Sequence, residues 1–442
     1  MGRILGAAIY PHPPIIMEEI GRGEEKKAAR TVDGAKALSR YIKEKSPTTI
    51  VVVTPHGPMF SDAMAISVEE ELFGDFSAFG HGEISYNFNN NIPLVKKVIN
   101  NAMEEDIMVA AVDETMAERY NIDRNLDHGT LVPLYFVDKE YKNFKLIHIT
   151  YGALSPRDLY RFGRAVKRAV LESEDSIILL ASGDLSHRLA EDGPYTYSPS
   201  GKVFDEKIIS LIEDGNLEEI LEFDLDLAEE AGECGLRSFM IMAGTIDGYR
   251  LRPEILSYEG PFGVGYCTAK IDMESDYVKL ARESLEYYIK EGKLLDIPTG
   301  IPAEFLTARR GVFVTLNKNG DLRGCIGTIG PTKDNMALEI IRNAVSAGLE
   351  DPRFDRVTED ELDLIVYSVD VLSPPEVIEA KEDLDVVNYG VIVTSGYRRG
   401  LLLPNLDGVD TVDQQLHIAL SKANIHPSED YTMERFKVDR YY

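Results

Sequence analysis

Arg3-Ile4-Leu5-Gly6-Ala7-Ala8-Ile9 is an apolar run of strand length that breaks at Tyr10-Pro11-His12-Pro13-Pro14, and Thr49-Ile50-Val51-Val52-Val53-Thr54 repeats it, breaking at Pro55-His56-Gly57-Pro58. Between them, residues 24–45 carry Ala28, Val32, Ala35 and Leu38 at helical spacing. The stretch therefore reads as one strand–helix–strand unit, with strands 3–9 and 49–54 side by side in a parallel sheet. Further apolar runs at 107–112, 145–150 and 176–182 continue the rhythm of an α/β fold: a mostly parallel central sheet flanked by helices. Both Pro-His loops leave carboxyl ends of strands, the edge where open α/β sheets bind ligands.

After residue 200 the pattern turns helical, at 203–221 and 228–246. It then gives an antiparallel pair, 252–258 and 264–271, around Glu259-Gly260-Pro261-Phe262-Gly263. A boundary near Asp272 divides the chain into domains 1–272 and 273–442. The second reads as a smaller α+β domain: a helix at 275–291, a hairpin 311–316 with 322–329, a helix at 335–347, a strand at 364–371, and a late hairpin of 390–395 with 401–403. In the first hairpin the turn Asn317-Lys318-Asn319-Gly320-Asp321 contains the Asn-Gly that tolerates positive φ.

Composition excludes several classes. The 442 residues are 44% hydrophobic and 28% charged, as in globular proteins, and 47 Lys and Arg against 75 Asp and Glu give a net charge of -28. That charge opposes nucleic-acid phosphates and anionic lipid surfaces, so neither is an expected partner. Cys234, Cys267 and Cys325 stand singly, which offers no disulfide framework and no cysteine-built metal site and fits a cytoplasmic location. No signal peptide or membrane span is expected, and Gly6 stands where a myristoylation site wants Ser or Thr. Nothing in the composition opposes a homo-oligomer.

Six of eight histidines precede residue 190: His12, His56, His81, His128, His148 and His187. His12 and His56 sit on neighbouring strand-end loops stiffened by proline, where two imidazoles can share a metal. His187, in Ser182-Gly183-Asp184-Leu185-Ser186-His187, follows a tight turn at the same edge. His128 stands where a helix should begin behind Asp127 as N-cap, a place that suits capping or packing as well as catalysis. His148 reads as core, and His81 lies in a Gly-flanked loop without a role. A third ligand to complete a 2-His-1-carboxylate face suited to iron(II) cannot be chosen by composition, but Glu233, in Gly232-Glu233-Cys234-Gly235, is a carboxylate in an apolar, close-packed context. It could equally be a charge at a helix end.

Together, Tyr-Pro-His-Pro-Pro, Thr-Pro-His-Gly-Pro, Asp-His-Gly-Thr-Leu-Val-Pro-Leu, Ser-Gly-Asp-Leu-Ser-His-Arg-Leu and Gly-Glu-Cys-Gly resemble the class III extradiol ring-cleavage dioxygenases, the LigB-like superfamily that includes the Memo proteins, over about residues 1–270. From about 275, Arg309-Arg310-Gly311-Val312-Phe313-Val314-Thr315-Leu316 and Leu322-Arg323-Gly324-Cys325-Ile326-Gly327-Thr328 resemble the AMMECR domain. The fused pair is similar to the AmmeMemoRadiSam system protein A family. The resemblance implies an iron(II) held by His12, His56 and Glu233, with His187 as catalytic base and His128 against substrate or oxygen. It also implies a small catechol-type aromatic substrate cleaved with O2. In Memo relatives a Cys is the third ligand, which makes Cys234 the alternative.

Two other readings follow from the same residues. One is a scaffold, with or without metal, acting with a radical-SAM partner on a peptide or small molecule. The other is a zinc hydrolase in which His187 activates water on Zn(II). In the second domain Cys325, with Arg323 or His417 as activator, forms a candidate site, against a packing role for a cysteine in a strand. A negative surface favours a neutral or cationic substrate; a carboxylated catechol would need Arg188 or Arg237 to offset the field.

Overall fold

The computed structural model describes residues 2–406 and 408–441. The chain divides into two units, Met1–Met273 and Glu274–Tyr442. Among the described residues of the first, ten strands form: β1 (Arg3–Tyr10), β2 (Thr49–Thr54), β3 (Met64–Ser67), β4 (Glu71–Phe76), β5 (His81–Asn89), β6 (Val109–Val112), β7 (Lys145–Thr150), β8 (Ser176–Ser182), β9 (Leu251–Glu259) and β10 (Tyr266–Met273). Eight of them make one sheet in the order β6-β3-β7-β2-β8-β1-β10-β9, with β4 and β5 as a separate hairpin. The centre, β7-β2-β8-β1, is parallel, whereas β3 joins β7, and β10 joins β1, antiparallel.

The sheet corrects one expectation. β1 and β2 are not neighbours; β8 lies between them and pairs parallel with both. Ile177 through Ala181 are apolar throughout and fully buried, so this run belongs at the centre of the sheet, where both faces are covered. Alternation along β2 shows the two covers. Val51 and Val53 face helices Ile92–Glu104, Pro156–Leu171 and Leu236–Thr245, while Ile50 and Val52 face helices Ala29–Lys45 and His128–Asp138.

Other differences have local causes. The expected helix 228–246 is two helices, Leu225–Ala231 and Leu236–Thr245, because Gly232 takes φ 64° and caps the first. The expected helix 203–221 runs as Pro199–Glu213 and then a short turn Leu217–Glu222, parted at Gly215, φ 71°. The expected strand 107–112 shortens to β6, and β3 and the β4–β5 hairpin escaped notice. Gly74, Gly80 and Gly82 there dilute the period-two pattern.

The second unit is the expected smaller α+β domain. Strands β11 (Val312–Lys318), β12 (Asp321–Gly327), β13 (Ile365–Leu372) and β18 (Val438–Tyr441) form a sheet in the order β12-β11-β13-β18. Helices Asp276–Glu291 and Met336–Leu349 pack on it through Leu285 and Ile340 against Val314 and Val369. A second sheet, β14 (Glu376–Ile378), β17 (Thr432–Phe436), β15 (Gly390–Ser395) and β16 (Arg398–Leu402), carries helix Val412–Lys422. Asn319 and Gly320 both take positive φ, 51° and 88°, in the tight β11–β12 turn. Among the described residues no helix is long and apolar enough to cross a membrane.

One backbone approach at the carboxyl edge is unusually close. A Cβ on Gly183, just past β8, would lie 2.1 Å from the Cα of Gly235, so the loop after β8 and the link between the two split helices touch backbone to backbone. Gly183→Ala should therefore lower the unfolding free energy by about 3 kcal/mol in denaturant titration. An unchanged midpoint would show that this contact is slack.

Candidate metal centre

The parallel trio β1, β8 and β2 delivers three loops to one edge. His12 follows β1 by two residues and His56 follows β2 by two, and their Nε2 atoms lie 3.0 Å apart. His128 opens helix His128–Asp138 and stacks on His56, ring centroids 4.3 Å apart. Among the described residues, His12, His56 and His128 are the metal-ligating side chains that bring one atom each within 4.8 Å of the others. His12 is buried and His56 exposed, so the cluster has a protein floor and an open face.

Hydrogen bonding fixes the His12 tautomer. The Ser182 hydroxyl donates to the Gly129 carbonyl, so it accepts from His12 Nδ1–H at 2.8 Å, and the bare lone pair of Nε2 turns to the cluster. Burial, with mutual repulsion second, holds His12 well below the usual imidazole range. Burial also lowers His56, and it pushes His128 down to about 4, with His56 adding to the effect. At neutral pH the cluster is a set of uncharged nitrogen donors. Two such nitrogens converging to 3.0 Å form a donor pair that suits a divalent transition ion.

His187 joins this edge. Its ring stacks on Tyr195 at 5.0 Å, its Nε2 is buried with no hydrogen-bond partner, and burial, then the His56 and Arg188 charges, brings it down to about 4. Glu233 lies outside the histidine group. Its carboxylate accepts Leu236 N–H at 2.6 Å, capping helix Leu236–Thr245, and burial raises it to about 7. Cys234 is nearer, with Sγ 3.7 Å from His12 Nε2, and burial raises its thiol.

Sequence reasoning missed Asp184. Its carboxylate accepts His12 N–H at 2.9 Å, its other oxygen lies 4.0 Å from His12 Nε2, and burial raises it to about 7. The signal was present in Ser-Gly-Asp-Leu-Ser-His, which read only as a turn. His148, expected in the core, is buried and bonded to Asp127 at 2.9 Å. His81 contacts Arg22 and Glu83 at the start of β5, away from the cluster.

The second-domain candidates do not assemble a nucleophile. Arg323 is held by Glu361 at 2.9 and 3.1 Å, and His417 is exposed on its helix. Cys325 Sγ accepts the Thr315 hydroxyl at 3.2 Å, and its N–H goes to Asp351 at 2.9 Å. Neither expected activator reaches it.

Comparison with known proteins identifies the family of each unit. Residues 6–269 match the family described as the catalytic LigB subunit of aromatic ring-opening dioxygenase, and residues 278–441 match AMMECR1. A protein of Clostridium acetobutylicum is 47% identical over 99% of this chain and 98% of its own. A protein of Thermotoga maritima is 52% identical over 38% of this chain and 98% of its own. The crystal structure of an uncharacterized protein from Pyrococcus horikoshii is 34% identical over 37% of this chain and 88% of that one, with a TM-score of 0.35.

Asp184 makes metal-free protein pH-sensitive. With a folded pKa of about 7 against the ordinary 3.8, its stabilising contribution is complete below about pH 4, falls through pH 4 to 7, and is gone above. Asp184→Asn keeps the acceptor for His12 N–H and has no proton to lose. Chelator-treated variant should match wild type near pH 4 and exceed it by about 2–4 kcal/mol at pH 8 in urea unfolding. A difference independent of pH would refute this assignment.

Proposed function

We propose, from the premise that this chain belongs to the LigB family of aromatic ring-opening dioxygenase catalytic subunits and carries an AMMECR1 domain behind it, that the first unit is an iron(II)-dependent extradiol dioxygenase acting on a catechol-type aromatic. The observation that carries this reading is the pair of neutral imidazoles, His12 and His56, with Nε2 atoms 3.0 Å apart at the open carboxyl edge of a parallel sheet. Iron(II), when bound, supplies the electron transfer that lets a catechol react with O2.

The chain's own groups divide the remaining work. His12 and His56 would hold the ion, with His12 locked in the ligating tautomer by Ser182. Glu233 is the carboxylate candidate for third ligand. His187, neutral at physiological pH and with Nε2 unpartnered, can accept a phenolic proton. His128, also neutral, can hydrogen-bond a polar atom above the His56 ring, and Phe79 lies edge-on to it at 5.5 Å.

A second reading has its own observation. Cys234 Sγ, 3.7 Å from His12 Nε2, favours a Memo-like site in which thiolate and imidazoles hold zinc. Such a protein would be a zinc hydrolase, or a scaffold working with a radical-SAM partner.

Anaerobic loading with iron(II), followed by catechols and recorded O2 uptake, separates the two. We expect uptake, loss of iron and uptake together in His56→Ala, and iron retained with turnover lowered by roughly 10²–10⁴ in His187→Asn. Zinc in protein purified without oxygen, with no O2 uptake after iron loading, would replace the first reading by the second.

A further inference from the structure

Asp127 is a buried carboxyl that the proposed chemistry leaves unused. Its side chain is 7% exposed, and both oxygens are occupied twice. Oδ1 accepts the Thr54 hydroxyl at 2.6 Å and Thr130 N–H at 3.2 Å; Oδ2 accepts His148 Nε2–H at 2.9 Å and the Thr130 hydroxyl at 3.2 Å. A carboxylate has about four lone-pair sites. All four are spent inside the protein, so Asp127 is not a ligand in waiting.

Those bonds reach two of the cluster's loops. His56 N–H donates to Thr54 Oγ1 at 3.3 Å, and the Thr54 hydroxyl donates on to Asp127. Thr130 N–H fixes the first turn of the helix that begins with His128. The packing leaves no slack: a Cβ on Gly129 would lie 2.5 Å from Thr54 Oγ1, 2.8 Å from Asp127 Oδ1 and 3.4 Å from the His56 ring. His148, from the middle of β7, holds the far oxygen and is itself bonded to Ser67 at 2.9 Å. A helix cap needs one acceptor oxygen. The second oxygen, anchored to another strand through a buried imidazole, exceeds what capping requires.

We propose that Asp127 is a positioning residue of the metal centre, a buried anion that sets the spacing of the His56 and His128 loops and balances the charge of the divalent ion that His12 and His56 hold, with His148 fixing its orientation. The proposal rests on the reading that the histidine cluster binds a divalent ion. Uncharged imidazoles bring no compensating charge of their own, and Asp127 is a carboxyl bonded to the segments that carry His56 and His128.

The test uses the full chain, stripped with chelator and titrated with Co2+ against a chromophoric competitor, with the visible cobalt bands as the report of coordination geometry. Asp127→Asn keeps the cap and removes the charge; it should weaken Co2+ binding by roughly 10–100-fold and shift the bands, with far-UV circular dichroism unchanged. Thr54→Val leaves charge and cap intact and cuts the link to His56; it should weaken binding by a smaller factor and also shift the bands. If Asp127→Asn does not fold, Thr54→Val decides alone. Affinity and bands equal to wild type in the folded variants overturn the proposal. Wild-type protein that takes up no Co2+ overturns the metal reading beneath it, and this proposal with it.

Discussion

The pairing of β8 with β1 on one side and β2 on the other is the constraint on which the site depends. Strands in a sheet are about 4.8 Å apart, so β1 and β2 stand roughly 10 Å apart across β8. That is too far for adjacent backbones and right for two imidazoles reaching inward over the end of the middle strand. β8 serves the meeting twice. Ser182, its last residue, aligns the His12 ring, and Gly183, the next, has no side chain to keep Gly235 away, which brings Cys234 close to His12. A strand chosen for its apolar faces thus ends in small residues that build the centre.

Electrostatics at this edge works by neutralisation. Burying a charge is expensive unless it is paired, so a cluster of three histidines and several acids survives without an ion by shedding charge. The histidines fall to about 4 or lie below their ordinary range, while Asp184 and Glu233 rise to about 7. Asp127 is the exception. Burial would raise it, but the hydrogen bonds from His148 and Thr54 and the neighbouring imidazoles outweigh that and hold it ionised. A divalent ion bound here would reverse the balance, because its charge favours the ionised form of the raised acids.

The two Pro-His loops were legible because the decisive information is local: an apolar run, a proline and a histidine within a few residues. The strand end before Ser-Gly-Asp-Leu-Ser put His187 at the same edge, and family resemblance supplied the expected roles of His187, His128 and Glu233. What stayed hidden depends on pairing at long range. That β8 inserts between β1 and β2 is decided by the burial of residues 177–181 against segments more than 100 positions away. The Asp127–His148 bond joins a loop to a strand 21 residues later, and nothing in Leu-Ile-His-Ile-Thr separates a bonded core histidine from an idle one. The split of helix 228–246 was signalled by Gly232 and Gly235, but the apolar spacing on both sides outweighed it.

Glu233 and Cys234 are adjacent and cannot both turn to one ion without reorganising the link that carries them. Glu233 spends an oxygen on the Leu236 N–H at the start of helix Leu236–Thr245, and Cys234 Sγ accepts Asp184 N–H at 3.3 Å. Giving up a cap costs about 1 kcal/mol. That is small beside the roughly 10–16 kcal/mol apparent for structural zinc sites, so the cap is no obstacle to ligation by Glu233. The thiol must lose a proton that burial holds firmly, which a coordinated ion can also enforce. The cost of rearrangement therefore would not select the ligand; the softness of the ion would, iron(II) favouring the carboxylate and zinc the thiolate.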